Sequence, residues 1–112
     1  MTLRQRLPRS NNEAHLSFIR SLPCVCCHNN IETEAAHIRS GNREYGKRPT
    51  GKAEKPDDIW VLPLCGRCHR ESHGTNELNY WNNKGINPWD MALRLFASSG
   101  DHELAEEIIA RR

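Results

Sequence analysis

The chain has 112 residues, a hydrophobic fraction of 37%, a strongly negative mean hydropathy and a formal net charge of +2. This length fits one domain, and the composition predicts a small hydrophobic core that a bound structural metal would reinforce. The first residues lack the apolar segment of a signal peptide, and no apolar run is long enough to cross a bilayer. We therefore expect a soluble cytoplasmic protein that has no membrane partner.

Residues 1–11 have the composition of a basic arm, with Arg4, Arg6 and Arg9 around Pro8 and no periodic apolar spacing. Such a segment is either a solvated tail or an arm that contacts phosphate groups, and the sequence leaves both open. The remainder divides into a predicted core, residues 12–74, and a predicted helical extension, residues 75–112.

The core pattern predicts a helix, two strands and a second helix. The first helix is capped by Asn11 or Asn12 and ends at Pro23. The other predicted core elements are a strand over Glu32–Ile38 with His37 near its end, a long loop over Ser40–Lys55, a buried strand over Ile59–Leu62 ended by Pro63, and a helix that starts after Cys65 and ends at Gly74.

The long loop is rich in cations and glycine. Loops of this length in compact domains are usually functional or disordered. Arg39 directly precedes the loop, and the basic residues within it are Arg43, Lys47, Arg48, Lys52 and Lys55.

In the extension, residues typical of helix starts and ends predict three helices. The first runs from Asn76 to Lys84 and ends at Gly85. The second begins at the cap Asn87, with Pro88 at its first position, and the third begins at Asp101 after Gly100. Apolar residues at helical spacing predict packing in the core rather than a surface that stacks on bases. These are Trp81, Trp89, Ala92, Leu95, Phe96, Leu104 and Ile108.

Four of the five cysteines have metal-ligand spacing. Cys24 and Cys27 form one C-x-x-C pair, and Cys65 and Cys68 form another. In a reducing compartment such pairs indicate metal binding rather than disulfides, and four thiolates complete the closed tetrahedral shell that structural Zn²⁺ prefers. Cys26 is left over as a free thiol. His28, which follows Cys27, could compete as a ligand but is less favoured than the four sulfurs.

A second metal centre is indicated on the helix that follows Cys65. His69 and His73 are four residues apart and therefore lie on one helix face, where both could bind one divalent ion. The alternative is that they are ordinary surface histidines. A third histidine, His37, lies on the predicted strand beside the basic loop.

Other metal chemistries fit less well. Both C-x-x-C-H segments satisfy the haem-attachment pattern, but that attachment normally follows export and no export signal is present. A zinc deaminase requires H-x-E ahead of P-C-x-x-C, and the usual zinc peptidase requires H-E-x-x-H. The chain contains neither histidine motif.

Over roughly Leu16–Trp89, the ordered motifs resemble the HNH endonuclease superfamily, specifically its zinc-stapled phage- or prophage-type members. The matching segments are Leu22-Pro23-Cys24-x-x-Cys27, Glu34-Ala35-Ala36-His37-Ile38-Arg39, and Asp58-x-Trp60-x-x-Pro63-Leu64-Cys65-x-x-Cys68-His69-x-x-x-His73. The resemblance implies an α+β fold, namely a small ββα-metal (treble-clef-like) core with a four-cysteine structural zinc, an N-terminal helix and C-terminal helices.

The resemblance also implies roles for individual residues. His37 would be the general base, and His69 and His73 would hold a catalytic divalent ion such as Mg²⁺, Mn²⁺, Ni²⁺ or Zn²⁺. The partner would be DNA, whose phosphodiester bonds would be hydrolysed to 5′-phosphate and 3′-hydroxyl ends. The cations of the loop would then neutralise backbone phosphates, with Arg39 closest to the scissile phosphate because it follows His37 by two residues.

Two positions depart from the family pattern. Ala36 occupies the position of a further metal ligand, and Trp60 stands near the expected central asparagine. Asp58, or less favourably Asp57, is the nearest polar candidate to orient His37 or to complete the metal shell. Either aspartate could also be a simple cap of the following strand. The alternative function is therefore a zinc-stabilised DNA-binding or interaction module with a decayed nuclease centre.

Overall fold

The computed structural model of the protein describes residues 11–50 and 56–112, so most of the basic arm, and Lys52 and Lys55 of the loop, lie outside the described residues. Within those ranges the chain forms one two-stranded antiparallel sheet, a 3₁₀ turn and five α-helices, which confirms the α+β class. The elements are α1 (Glu13–Arg20), β1 (Thr33–His37), the 3₁₀ turn (Arg43–Tyr45), β2 (Val61–Cys65), α2 (Gly66–His73), α3 (Glu77–Lys84), α4 (Pro88–Ala97) and α5 (His102–Ala110).

The α-helices begin at the polar residues that the sequence predicts. In each case the side chain of the cap accepts a hydrogen bond from an amide in the first turn, which satisfies a donor that has no partner within the helix. The caps are Asn12, Cys65, Asn76, Asn87 and Asp101. At the other end, α3 stops where Gly85 adopts a left-handed conformation with φ of 69°.

The second strand differs from its prediction at Pro63. The sequence predicts that the strand ends there, but β2 continues to Cys65 and Pro63 pairs opposite Ala35. The carbonyl of Pro63 points away from β1 and accepts a hydrogen bond from the Val25 amide at 2.9 Å. The N and C=O groups of one residue in an antiparallel strand point to the same side, so the missing amide interrupts no bond between the strands.

The core forms around β2, in which every residue is buried. Helices α1, α2 and α4 all contact this strand. The valine, leucine and isoleucine residues with at most 1% exposure define the centre of the core: Ile19, Leu22, Val25, Ile38, Val61, Leu62, Leu64, Leu95 and Ile109. The strand that leads into α2 is thereby held from several sides.

The predicted packing of the C-terminal helices is confirmed in part. Trp81, Ala92 and Leu95 are buried, and Trp89 and Ile108 pack partly against the core. The prediction is wrong for Phe96 and Leu104, which are 36% and 44% exposed. Periodicity identifies the apolar residues of a helix but not how far neighbouring elements cover them.

None of the helices in the described ranges combines the length and the apolar character that a bilayer-crossing segment needs.

Candidate functional site

The Sγ atoms of Cys24, Cys27, Cys65 and Cys68 all lie within 4.8 Å of one another. Those of Cys27 and Cys65 are 3.7 Å apart. In a tetrahedral site, a Zn–S distance of about 2.3 Å implies sulfurs about 3.8 Å apart. The four cysteines are therefore positioned to hold a metal ion and are compatible with structural zinc.

The cluster joins a turn to the junction between a strand and a helix. In the turn, the Cys24 carbonyl accepts a hydrogen bond from the His28 amide at 2.8 Å, and His28 has a positive φ of 65°. On the other side, Cys65 ends β2 and caps α2, and Cys68 lies in the first turn of that helix. A metal held here would fasten the segment after α1 to the sheet.

The thiols ionise unequally. A hydrogen bond with the Cys26 thiol lowers the pKa of Cys24 to about 3. Burial raises the pKa values of Cys27 and Cys68, and the bond to Cys24 raises that of Cys26. Four thiolates so close together would repel one another, so a bound cation would favour their ionised forms.

The fifth cysteine lies beside the cluster. Its Sγ atom is 3.4 Å from the hydroxyl oxygen of Tyr80, which donates a hydrogen bond to the Cys68 carbonyl. Neither Cys26 nor the exposed His28 belongs to the four-ligand group found in the described part of the chain. This agrees with the expectation that four better-placed sulfurs form the site.

His37 and Asp58 are in contact. His37 ends β1, and its Nε2 atom lies 2.9 Å from Oδ1 of Asp58. The carboxylate is 2% exposed, and its other oxygen accepts a hydrogen bond from the Asn12 amide at 2.7 Å. Asp58 therefore joins the end of the sheet to the start of α1. Of the two candidates, this is the residue we favoured for orienting His37.

His69 and His73 are neighbours on α2, with ring centroids 4.8 Å apart. His69 is half-buried and His73 is exposed. The Nδ1 atom of His69 lies 2.6 Å from Oε1 of Glu34. Within the described ranges, the four cysteines are the one group in which three or more metal-binding side chains come together. An ion bound by His69 and His73 would therefore keep water among its ligands.

The two departures from the HNH pattern have packing explanations. Ala36 is 5% exposed, pairs with Leu62 and belongs to the core. Trp60 is 6% exposed, and its amide donates a hydrogen bond to the Asp57 carbonyl. Both positions therefore contribute apolar packing to the core.

A carboxylate that the sequence did not indicate organises the chain after β1. Glu77 accepts hydrogen bonds from the Arg39 amide at 3.2 Å and from the Ser40 amide at 2.8 Å. It also accepts one from the Ser40 hydroxyl at 2.6 Å. Glu77 thus ties the exit of β1 to the first turn of α3.

The basic loop does not present all its cations to solvent. Arg43 and Arg48 are exposed, and Arg39 is half-buried. Lys47 departs from the prediction because it is 5% exposed and its ammonium donates to the carbonyls of Arg39 and Arg48, at 3.2 and 2.9 Å. Burial lowers the Lys47 pKa. This lysine therefore holds the loop together and presents little of its side chain to solvent.

A family model described as "Protein of unknown function (DUF968)" matches residues 2–99, which is most of the chain. The chain belongs to the DUF968 family. No curated protein and no solved structure matches it. Three features of this DUF968 protein bear on its function: the cysteine cluster, the His37–Asp58 pair and the histidines of α2.

Proposed function

We propose that this DUF968 protein is a metal-dependent HNH endonuclease that hydrolyses phosphodiester bonds in DNA. The observation that carries the proposal is the buried Asp58 carboxylate bonded to His37 at the end of β1. β1 pairs with β2, which continues directly into the helix that carries His69 and His73. This order of two strands and a helix suits a ββα-metal centre.

The contact with Asp58 suits His37 to act as a general base. A carboxylate only accepts hydrogen bonds, so the neutral imidazole donates its Nε2–H and carries its lone pair on Nδ1. That lone pair takes a proton from water while the water oxygen forms a bond to phosphorus. The bond from phosphorus to the 3′ oxygen then breaks, and the departing oxygen takes a proton from solvent to become the 3′-hydroxyl. Asp58 stabilises the imidazolium that has formed on His37.

The two histidines of α2 suit the proposed divalent ion. His69 and His73 would hold Mg²⁺, Mn²⁺, Ni²⁺ or Zn²⁺ with water in the remaining positions. The ion, when bound, would neutralise charge on the phosphoryl group and on the departing oxygen. The cysteine cluster would keep a separate zinc that stabilises the fold, because a closed four-sulfur shell leaves no position for substrate.

The cations after β1 support DNA as the substrate. Arg39 follows the proposed base by two residues, and Arg43 and Arg48 are exposed on the same loop. Lys52 and Lys55 belong to the same basic segment of the sequence. Such cations bind backbone phosphates without reading bases, so DNA binding should weaken steeply as salt rises.

The test is cleavage of supercoiled plasmid in Mg²⁺, Mn²⁺ or Ni²⁺ by the wild type, His37→Ala and His73→Ala. We expect each variant to lose about 10²- to 10⁴-fold in rate, because each removes a participant in the reaction. His28→Asn is the matched control. His28 is exposed, and asparagine tolerates its positive φ.

A second readout is the metal content of the protein. The nuclease proposal expects one tightly bound zinc per chain and a second, exchangeable divalent ion that His73→Ala weakens. DNA binding without cleavage in every metal, together with equal behaviour of the wild type and His37→Ala, would instead support the binding module. The buried Ala36 is the feature that favours that alternative.

A further inference from the structure

We propose that Glu34 is a positioning residue that holds the His69 imidazole in the tautomer whose Nε2 atom is ready to bind a metal. The role of that metal rests on the proposed function, but the contact between the two side chains does not. Glu34 lies on β1 and His69 lies on α2, thirty-five positions apart in sequence.

The geometry places the carboxylate between the strand and the first turn of the helix. Oε1 of Glu34 is 2.6 Å from Nδ1 of His69. Oε2 is 3.8 Å from the position that a Cβ would take at Gly66, the first residue of α2. A negative charge near a helix N-terminus is favourable, so this carboxylate is stable where it lies.

The tautomer follows from the chemistry of the two groups. An ionised carboxylate has no hydrogen to donate, so the ring nitrogen that faces Glu34 must carry the hydrogen. In a neutral imidazole the lone pair is then on Nε2. The ring of His73 lies beside that of His69, at 4.8 Å between centroids. Glu34 thereby prepares His69 to share an ion with His73.

Glu34 lies two residues before Ala36 on β1. Alternate residues of a strand point to the same side, so both side chains project from β1 in the same direction. Ala36 is buried and offers no ligand, whereas the Glu34 side chain is 52% exposed and reaches the helix. A carboxylate bonded to a metal-binding histidine raises its basicity and fixes the ring, and its loss typically costs ~10- to 100-fold in metal affinity.

The experiment compares the wild type with Glu34→Ala, Glu34→Gln and Glu71→Ala. Glu71 is the matched control because it is an exposed carboxylate on α2 that pairs with Arg67 at 3.3 Å. Long-range ¹H–¹⁵N spectra at about pH 8, above the ordinary titration range of histidine, report which nitrogen of His69 carries the hydrogen. Calorimetric titration with Mn²⁺ on zinc-loaded protein reports the second site, and zinc content and thermal melting report folding.

We expect His69 to carry its hydrogen on Nδ1 in the wild type and in Glu71→Ala. In Glu34→Ala the hydrogen should move toward Nε2, and Mn²⁺ affinity should fall ~10- to 100-fold. Glu34→Gln should retain most of both properties, because the amide oxygen still accepts the Nδ1 hydrogen.

Two results would overturn the positioning role. One is an unchanged His69 tautomer in Glu34→Ala. The other is a loss of Mn²⁺ affinity in Glu34→Gln as large as in Glu34→Ala, which would make Glu34 a direct ligand. If the wild type binds no Mn²⁺ and cleaves no DNA, the proposed nuclease fails, and the tautomer of His69 still decides whether Glu34 positions that ring.

Discussion

Removal of the Asp58 carboxylate should affect both catalysis and stability. In Asp58→Ala, the Nε2–H of His37 and the Asn12 amide lose their acceptor. A buried donor left without a partner costs about 1–3 kcal/mol. Two donors are affected here, but both are only partly buried, so we expect a total loss of about 2–4 kcal/mol in the free energy of unfolding.

Asp58→Asn separates the two effects. Asp58 accepts with both of its oxygens, whereas asparagine has only one oxygen. That oxygen can keep the bond from the Asn12 amide, and the NH₂ group can donate to Nε2 of His37 in the other tautomer, so most of the stability should remain. The negative charge that stabilises the His37 imidazolium is lost, however, and DNA cleavage should fall about 10²- to 10⁴-fold. Urea unfolding and single-turnover plasmid cleavage at saturating metal measure the two quantities on the same preparations.

Asp57→Asn is the comparison variant, because the adjacent Asp57 is more exposed than Asp58. We expect its cleavage rate and stability to stay much closer to those of the wild type. Asp58 has no role in cleavage if Asp58→Asn cleaves DNA as fast as the wild type, or if Asp57→Asn loses more activity than Asp58→Asn.

Three further predictions concern the rest of the chain. Cys65→Ser should lose the tightly bound zinc and unfold, because structural zinc contributes to folding. Cys26→Ser should keep one zinc per chain, as measured by metal analysis, and loss of zinc from this variant would show that Cys26 is a ligand. Lys47→Met should lower the free energy of unfolding by about 1–2 kcal/mol, because the buried ammonium bonds to two loop carbonyls. Arg43→Ala should leave stability unchanged but reduce the slope of log DNA affinity against log salt concentration by about one. A stability loss in Arg43→Ala and a smaller slope in Lys47→Met would contradict these roles. His15 is buried, which lowers its pKa from 6.5, so the unfolded chain binds that proton more readily and stability falls as pH drops below 6.5. His15→Phe should weaken this fall in urea unfolding from pH 8 to pH 5, and equal slopes in the two proteins would argue against it.

Local chemistry in the sequence determined where the helices begin and end. A cap such as Asn87 acts on an amide three residues away, so its effect can be recognised without knowledge of the fold. The spacing of Cys65 and Cys68 likewise places two sulfurs at one turn in any fold. The α+β class and the four-cysteine cluster were predictable for these reasons.

The tertiary structure decided the features that depend on distant partners. The Glu34 contact with His69, the Glu77 contacts after β1 and the burial of Lys47 carry no local signature, because their partners come from other elements or from the folded loop. β2 could continue past Pro63 because the backbone N and C=O of that residue point away from β1, which depends on the pairing of the two strands. Sequence spacing names the chemical groups, and only packing determines which of them meet and which remain exposed to a substrate.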